Sequence, residues 1–290
     1  MKTSYVIACL GGIAAIALAV VAFGGGGTSS LGVGAVARAA ETTSQVAGAQ
    51  VAIDGSITAP GATMTMTGGG HMNFKAGEGE LTLTIGGLPA AAQATLPGGS
   101  IEMTELMKGG SLYMDSPLFA GKLPNGARWM KLDLASVGQA MGLNPSSMTS
   151  FGANPSQYLS YLKAAGGSMS VAGREAVRGV PTTRYSGQVN LLQAMEKQAG
   201  ANVTQVREAF AKVQAELGGG TIPVEVWVDG AGMVRKEAIT IDVSAAGQSV
   251  ATKMDIEYFN FGSSSTVTAP AGSEVYDLTQ QALQGLSATQ

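Results

Sequence analysis

Apolar and polar residues alternate one for one along several short stretches of this chain. That period sets one face of a β-strand against a core and the other against water. Residues 63–67 (TMTMT) put Met64 and Met66 on one face and three threonines on the other. Residues 80–85 (ELTLTI) do the same with Leu81, Leu83 and Ile85. The Gly-rich link between these stretches predicts a long hairpin with the glycines at its turn, and His71 in a loop or at a strand start. Further strands are predicted over 101–106, 111–114, 129–134, 222–228, 238–243 and 250–261, with a turn at Asp229-Gly230-Ala231-Gly232. In this frame Met64, Met66, Met103, Met114, Met130 and Met254 face inward, while Asp242, Asp255 and Glu257 face solvent.

The period lengthens in the middle of the chain. Asn154 and Pro155 open a helix that runs through Tyr158, Leu159 and Leu162 to a stop at Gly166. A shorter helix is predicted over 191–199. Asn202 then caps a third, in which Val203, Val206, Phe210, Val213 and Leu217 form one apolar stripe opposite Arg207, Glu208, Lys212 and Glu216. Another short helix is predicted over 41–49, and the Gly/Ser/Ala-rich residues 24–40 predict a flexible tether. Many strands, then helices, two or three strands, helices again and more strands predict one α+β domain on a large antiparallel sheet, spanning residues 41–278, with 279–290 as a C-terminal tail.

The first residues carry a different pattern. Lys2 precedes an apolar run over 5–23, close to the ~20 residues that cross a bilayer as a helix. Residues 1–23 are therefore expected to be a signal or signal-anchor helix. Three fates are open: an uncleaved membrane helix, cleavage after Ala37-Arg38-Ala39, or lipidation at Cys9 behind Val6-Ile7-Ala8. Each places the domain outside the cytoplasmic membrane.

Composition narrows the chemistry. The 290 residues are 45% hydrophobic and 13% charged, with a net charge of −3, so neither a disordered chain nor a nucleic-acid surface is implied. The lone cysteine lies in the leader, which leaves the domain without an internal disulfide. His71 is the single histidine; no Gly-x-Ser-x-Gly elbow, metal-ligand cluster or phosphate loop accompanies it. No catalytic residue, metal or cofactor is expected. The unusual resource is 14 methionines, whose flexible thioethers adapt to varied apolar shapes.

An ordered set of segments resembles actinobacterial LppX/LprG-type lipoproteins: RWMKLDL at 128–134, SMSVAGREAVRGVPTTRYSG at 168–187, IPVEVWVDG at 222–230, and YFNFG at 258–262 followed by Ala269-Pro270. The resemblance implies a LolA-like fold, a curved antiparallel sheet or half-barrel with helices over its concave face. It also implies a non-enzymatic role: holding acylated lipid or glycolipid in an apolar cavity at the outer side of the cytoplasmic membrane. Strand residues Met64, Met66, Leu81, Leu83, Ile85, Met103, Leu112, Met114, Val224 and Val226 are the expected lining, with Tyr158, Leu159, Leu162, Phe210 and Val213 as the lid. Phe23 stands where such lipoproteins carry the lipid-accepting Cys, so a protein helix would replace the lipid anchor. The alternative is the same fold with a closed core, regulating an envelope protein partner.

Overall fold

A computed structural model of the chain describes residues 31–59, 61–88, 96–119, 121–140, 169–190, 221–245, 248–263 and 265–288, with isolated positions at 93, 192, 196, 203, 204 and 207. The expected leader, the expected helix over 154–166 and most of 191–220 lie outside them, including Tyr158, Leu159, Leu162, Phe210 and Val213. Leu192, Glu196, Val203, Thr204 and Arg207 are helical where the sequence predicts helices, and the Arg207 Nε donates to Glu196 Oε1 at 2.5 Å.

The strands are β1 (Gly48–Ala59), β2 (Ala62–Asn73), β3 (Glu78–Gly86), β4 (Ile101–Lys108), β5 (Ser111–Asp115), β6 (Trp129–Asp133), β7 (Met169–Val177), β8 (Val180–Asn190), β9 (Thr221–Asp229), β10 (Val234–Ala245), β11 (Gln248–Phe259) and β12 (Val275–Asp277). They form one open 12-stranded sheet in the order β12-β6-β5-β4-β3-β2-β1-β11-β10-β9-β8-β7. Each pairing is antiparallel except β12 with β6. Two meanders, β1 to β6 and β7 to β11, are thus sewn together where β1 pairs with β11.

Turn chemistry fixes the hairpins. Gly109 and Gly110 have φ of 58° and 76° between β4 and β5, the two left-handed positions that a tight two-residue turn requires. Asp229 closes the β9–β10 turn: its Oδ1 accepts from the amides of Ala231 and Met233 at 2.9 Å, and its Oδ2 accepts from Arg235 Nε at 2.6 Å.

The Gly-rich link is not a turn: Gly68, Gly69, Gly70 and His71 lie inside β2, and the chain reverses at 74–77. A Cβ on Gly68 or Gly70 would run into the carbonyls of Thr82 and Glu80 in β3, and one on Gly69 into that of Val51 in β1. The neighbouring backbones lie so close to these positions that only glycine fits. Residues 31–40, expected as part of a flexible tether, are helical: helix α1 spans Leu31–Gln45. Val33, Val36, Ala37, Ala40 and Thr43 recur at helical spacing and are buried, with Ala39 beside them only 1% exposed. Small side chains let α1 lie close on β7, β9 and β10, with Gly32 against the Met169 carbonyl. The Thr43 hydroxyl donates to the Ala39 carbonyl at 2.7 Å and accepts from the Val234 amide at 2.8 Å, tying α1 to β10.

Two further helices, α2 (Leu134–Ala140) and α3 (Thr279–Ala288), pack on each other near the β6–β12 edge. Asp133 Oδ1 accepts from the Ser136 amide at 2.7 Å as an N-cap for α2. Residues 279–288, expected as tail, are therefore largely helical.

Candidate binding face of the sheet

Strand register sorts the side chains into rows. One row across β9, β10, β11, β1, β2, β3 and β4 reads Val224, Ile239, Met254, Gly55, Met66, Ile85, Ile101. The next reads Val226, Glu237, Ile256, Ile53, Gly68, Leu83, Met103. A third runs from Tyr258 in β11 through Val51, Gly70, Leu81, Glu105 and Met114 to Met130 in β6. Together they make one apolar inner face, and α1 covers its β7–β10 side.

Of the expected lining, Met66, Leu83, Ile85, Met103, Val224 and Val226 are buried in a single cluster, with Met64, Leu81 and Met114 half-buried against it. Leu112 is buried on the same strand face one row further on, paired with Met107 and Leu132, and the main cluster does not include it. These residues share one face of the sheet, as the period of two in their strands requires. The lid residues are outside the described positions, so their approach to this face is a matter of proposal.

Two polar residues in the inner rows escaped the sequence reading. Glu237 stands between Val226 and Ile256, and its Oε2 accepts from the Tyr258 hydroxyl at 3.4 Å. Burial pushes its carboxyl up to about 7, partly countered by that hydrogen bond. Glu105 stands between Leu81 and Met114 and is 3% exposed. Burial alone pushes it up to about 7, and its Oε1 has no hydrogen-bond partner among the described residues. The signal was in the frame: Met103-x-Glu105-x-Met107 and Glu237-x-Ile239-x-Ile241 each put a glutamate at an apolar beat.

The outer face has another character. Arg178 pairs with Glu257 at 2.7 Å, Lys236 with Asp255 at 2.6 Å, and Arg184 lies 3.5 Å from Glu225. Arg178 also stacks over Phe259 at 3.9 Å and Lys236 over Trp227 at 4.9 Å. Acids and bases here satisfy one another. His71 lies in register with Gln50 and Glu80, which gives it no nucleophile across the ladder. Two clefts of about 400 Å³ are polar-edged: one includes Glu102, Asp115 and Arg128, the other Arg174, Glu175 and Asp229. Among the described residues no cluster of three or more His, Cys, Asp or Glu is placed to hold a metal, and no helix is long and apolar enough to cross a membrane.

Comparison with known proteins gives one curated relative and a set of solved structures. A Streptomyces griseus protein, an uncharacterised 31.2 kDa product of the rplA–rplJ intergenic region, is 27% identical over 256 residues, or 86% of this chain and 81% of its own. No family model matches. LprF from Mycobacterium bovis is similar in structure over 85% of this chain and 100% of its own, at 15% identity and a TM-score of 0.39. The Mycobacterium tuberculosis lipoprotein LppX is similar over 81% and 97%, at 11% identity and a TM-score of 0.44. Both solved proteins are LppX/LprG-type lipoproteins.

Proposed function

We propose that this chain is a non-enzymatic lipid-binding protein of the cell envelope. It holds acyl chains of a lipid, glycolipid or lipoprotein between the inner sheet face and the segments above it. The observation that carries this reading is the continuity of the inner face. Three adjoining rows extend over most of the sheet, rich in methionine and interrupted by Gly55, Gly68 and Gly70, where no side chain stands. Such a floor suits an acyl chain, which needs length and adaptable van der Waals contact rather than directed polar groups. Each methylene withdrawn from water contributes roughly 0.8 kcal/mol, so a single sixteen-carbon chain would supply on the order of 10 kcal/mol before ordering costs.

On this reading the sheet curves as a LolA-like half-barrel, Tyr158, Leu159, Leu162, Phe210 and Val213 form the lid, and the protein works at the outer side of the cytoplasmic membrane. Residues 5–23 hold it there as a helix in place of a lipid anchor. A tethered domain of this kind extracts lipid from its own membrane or presents it to a partner. The retention of α1 in the core favours the tether over release by cleavage after Ala39, which would remove Val33, Val36, Ala37 and Ala39.

The test is uptake of a fluorescent acyl probe by the full-length chain and by Met66→Trp and Leu83→Trp. Both indoles would fill the floor where β2 and β3 meet. The expected result is loss of uptake with the β-sheet circular dichroism spectrum retained. Undiminished uptake in both variants would place the lipid elsewhere and refute the assignment of this face.

A further inference from the structure

The inner face carries two glutamates that differ in one respect. Glu237 is satisfied within the protein, because the Tyr258 hydroxyl donates to it. Glu105 is as deeply set, with Leu81 and Met114 directly opposite it in β3 and β5, and Met103 and Met107 on either side of it along β4. These four neighbours offer no strong hydrogen-bonding side chain, and its Oε1 is buried with no partner among the described residues. An unpaired buried carboxyl is among the costlier groups a core can hold, and apolar residues of similar volume are easily accommodated there. A glutamate kept solely for packing has no rationale at this position. A glutamate kept for a ligand does, since it is the one polar side chain among Leu81, Met103, Met107 and Met114, the arrangement by which apolar pockets fix the orientation of what they bind.

We propose that Glu105 is the hydrogen-bonding anchor for a hydroxyl group of the bound lipid, which makes the ligand a hydroxylated lipid rather than a plain acyl ester. The inference rests on the lipid-binding reading above and deepens it. A hydroxyl suits the site better than an ammonium group. A second buried charge would need several further partners to offset its desolvation, whereas a hydroxyl needs one. The raised acidity range of Glu105 fits the same chemistry, because a carboxyl that keeps its proton near neutrality both donates to and accepts from a hydroxyl. The hydroxyl could belong to the acyl chain or to a polyol headgroup, two sources with one recognition chemistry.

The experiment is competition against a fluorescent acyl probe bound to the full-length chain. The competitors are methyl palmitate, a hydroxypalmitate methyl ester and monopalmitoylglycerol, tested on wild type, Glu105→Leu and Glu105→Gln. Wild type is expected to bind at least one hydroxylated competitor about tenfold more tightly than methyl palmitate, the preference that one hydrogen bond to a buried acid gives. Preference for the hydroxy ester assigns the acyl chain, and preference for the glyceride assigns the headgroup. In Glu105→Leu the preference should fall to within about twofold while methyl palmitate binds as well as before or better. Glu105→Gln, which still donates and accepts, should retain part of it. Equal binding of all three by wild type, or an unchanged preference in Glu105→Leu, overturns the anchor and leaves lipid binding intact. Failure of the acyl probe itself to bind wild type overturns the lipid-binding reading, and the anchor with it; a bound probe that none of the three displaces overturns the anchor.

Discussion

Glu105 and Glu237 give the fold a pH dependence opposite to that of most acid-sensitive proteins. Both carboxyls are raised from 4.5 to about 7 in the folded chain, chiefly because burial disfavours the charged form. The folded state therefore binds these protons more tightly than the unfolded state. Below about pH 4.5 both states are protonated and neither group costs stability. As pH rises the unfolded chain ionises freely while the folded chain does not, so stability is lost through the interval from 4.5 to about 7 and is level above it. At 1.36 kcal/mol per pH unit, the displacement is about 3 kcal/mol for each residue at full ionisation. Most of that falls between pH 5 and pH 8, roughly 2–3 kcal/mol per residue. Against a domain stability of about 5–15 kcal/mol this is readily measured. The assay is urea unfolding of the full-length chain at pH 5, 6, 7 and 8, followed by tryptophan fluorescence. The perturbation is Glu105→Gln, Glu237→Gln and the two combined. Asp277 is lowered by its hydrogen bonds to Thr279 and Lys131, so its contribution fades only at more acid pH and does not mask the effect. Wild type should lose several kcal/mol from pH 5 to 8, each single variant roughly half of that, and the double variant little. Stability that is flat or rising across this interval in wild type, or a slope that survives the double substitution, would refute the reasoning.

Other outcomes follow from the same geometry. Gly70→Val should destabilise the fold by about 3 kcal/mol or more, since its Cβ meets the Glu80 carbonyl, whereas Gly230→Ala, whose Cβ meets nothing, should stay within about 0.5 kcal/mol. Thermal unfolding of the two variants decides it, and equal melting temperatures would contradict the close approach of β2 and β3. Val36→Asp buries a charge between α1 and the sheet, where Val36 is 4% exposed, and should cost about 3 kcal/mol or more. The mature protein, sequenced from its N-terminus after isolation from its host membrane fraction, should begin before residue 31; a start at Ala40 would contradict the place of α1 in the core.

The strands with one buried face were legible because alternation is a property of the residues alone. Thr63–Met66 and Leu81–Ile85 were placed in the right elements, with the right side chains inward. Strand β7 was expected only as one of two or three unbounded strands between the helices. It ends the sheet, and from Ser170 to Ala176 nearly every residue is exposed whichever face it points to, so no period of two develops. The glycines of β2 misled for a physical reason. Glycine marks both turns and close backbone approach, and only the neighbouring strands distinguish them. Residues 31–40 looked like a tether because Gly and Ala dominate, yet alanine is the best helix former and small residues allow α1 its close seat on the sheet. The inner face was readable as a pattern, whereas Glu105 and Glu237 required the register. Only the ladder shows that Leu81 and Met114 flank one acid while Tyr258 serves the other.

The central claim is that the inner face of this sheet holds lipid. Native mass spectrometry of the full-length chain, purified from its own host, tests it most directly. The account predicts a lipid adduct of defined acyl mass on the wild-type chain, lost from Leu83→Trp purified in the same way. Repeated isolation of the bare chain, or an adduct that persists unchanged in Leu83→Trp, would contradict it.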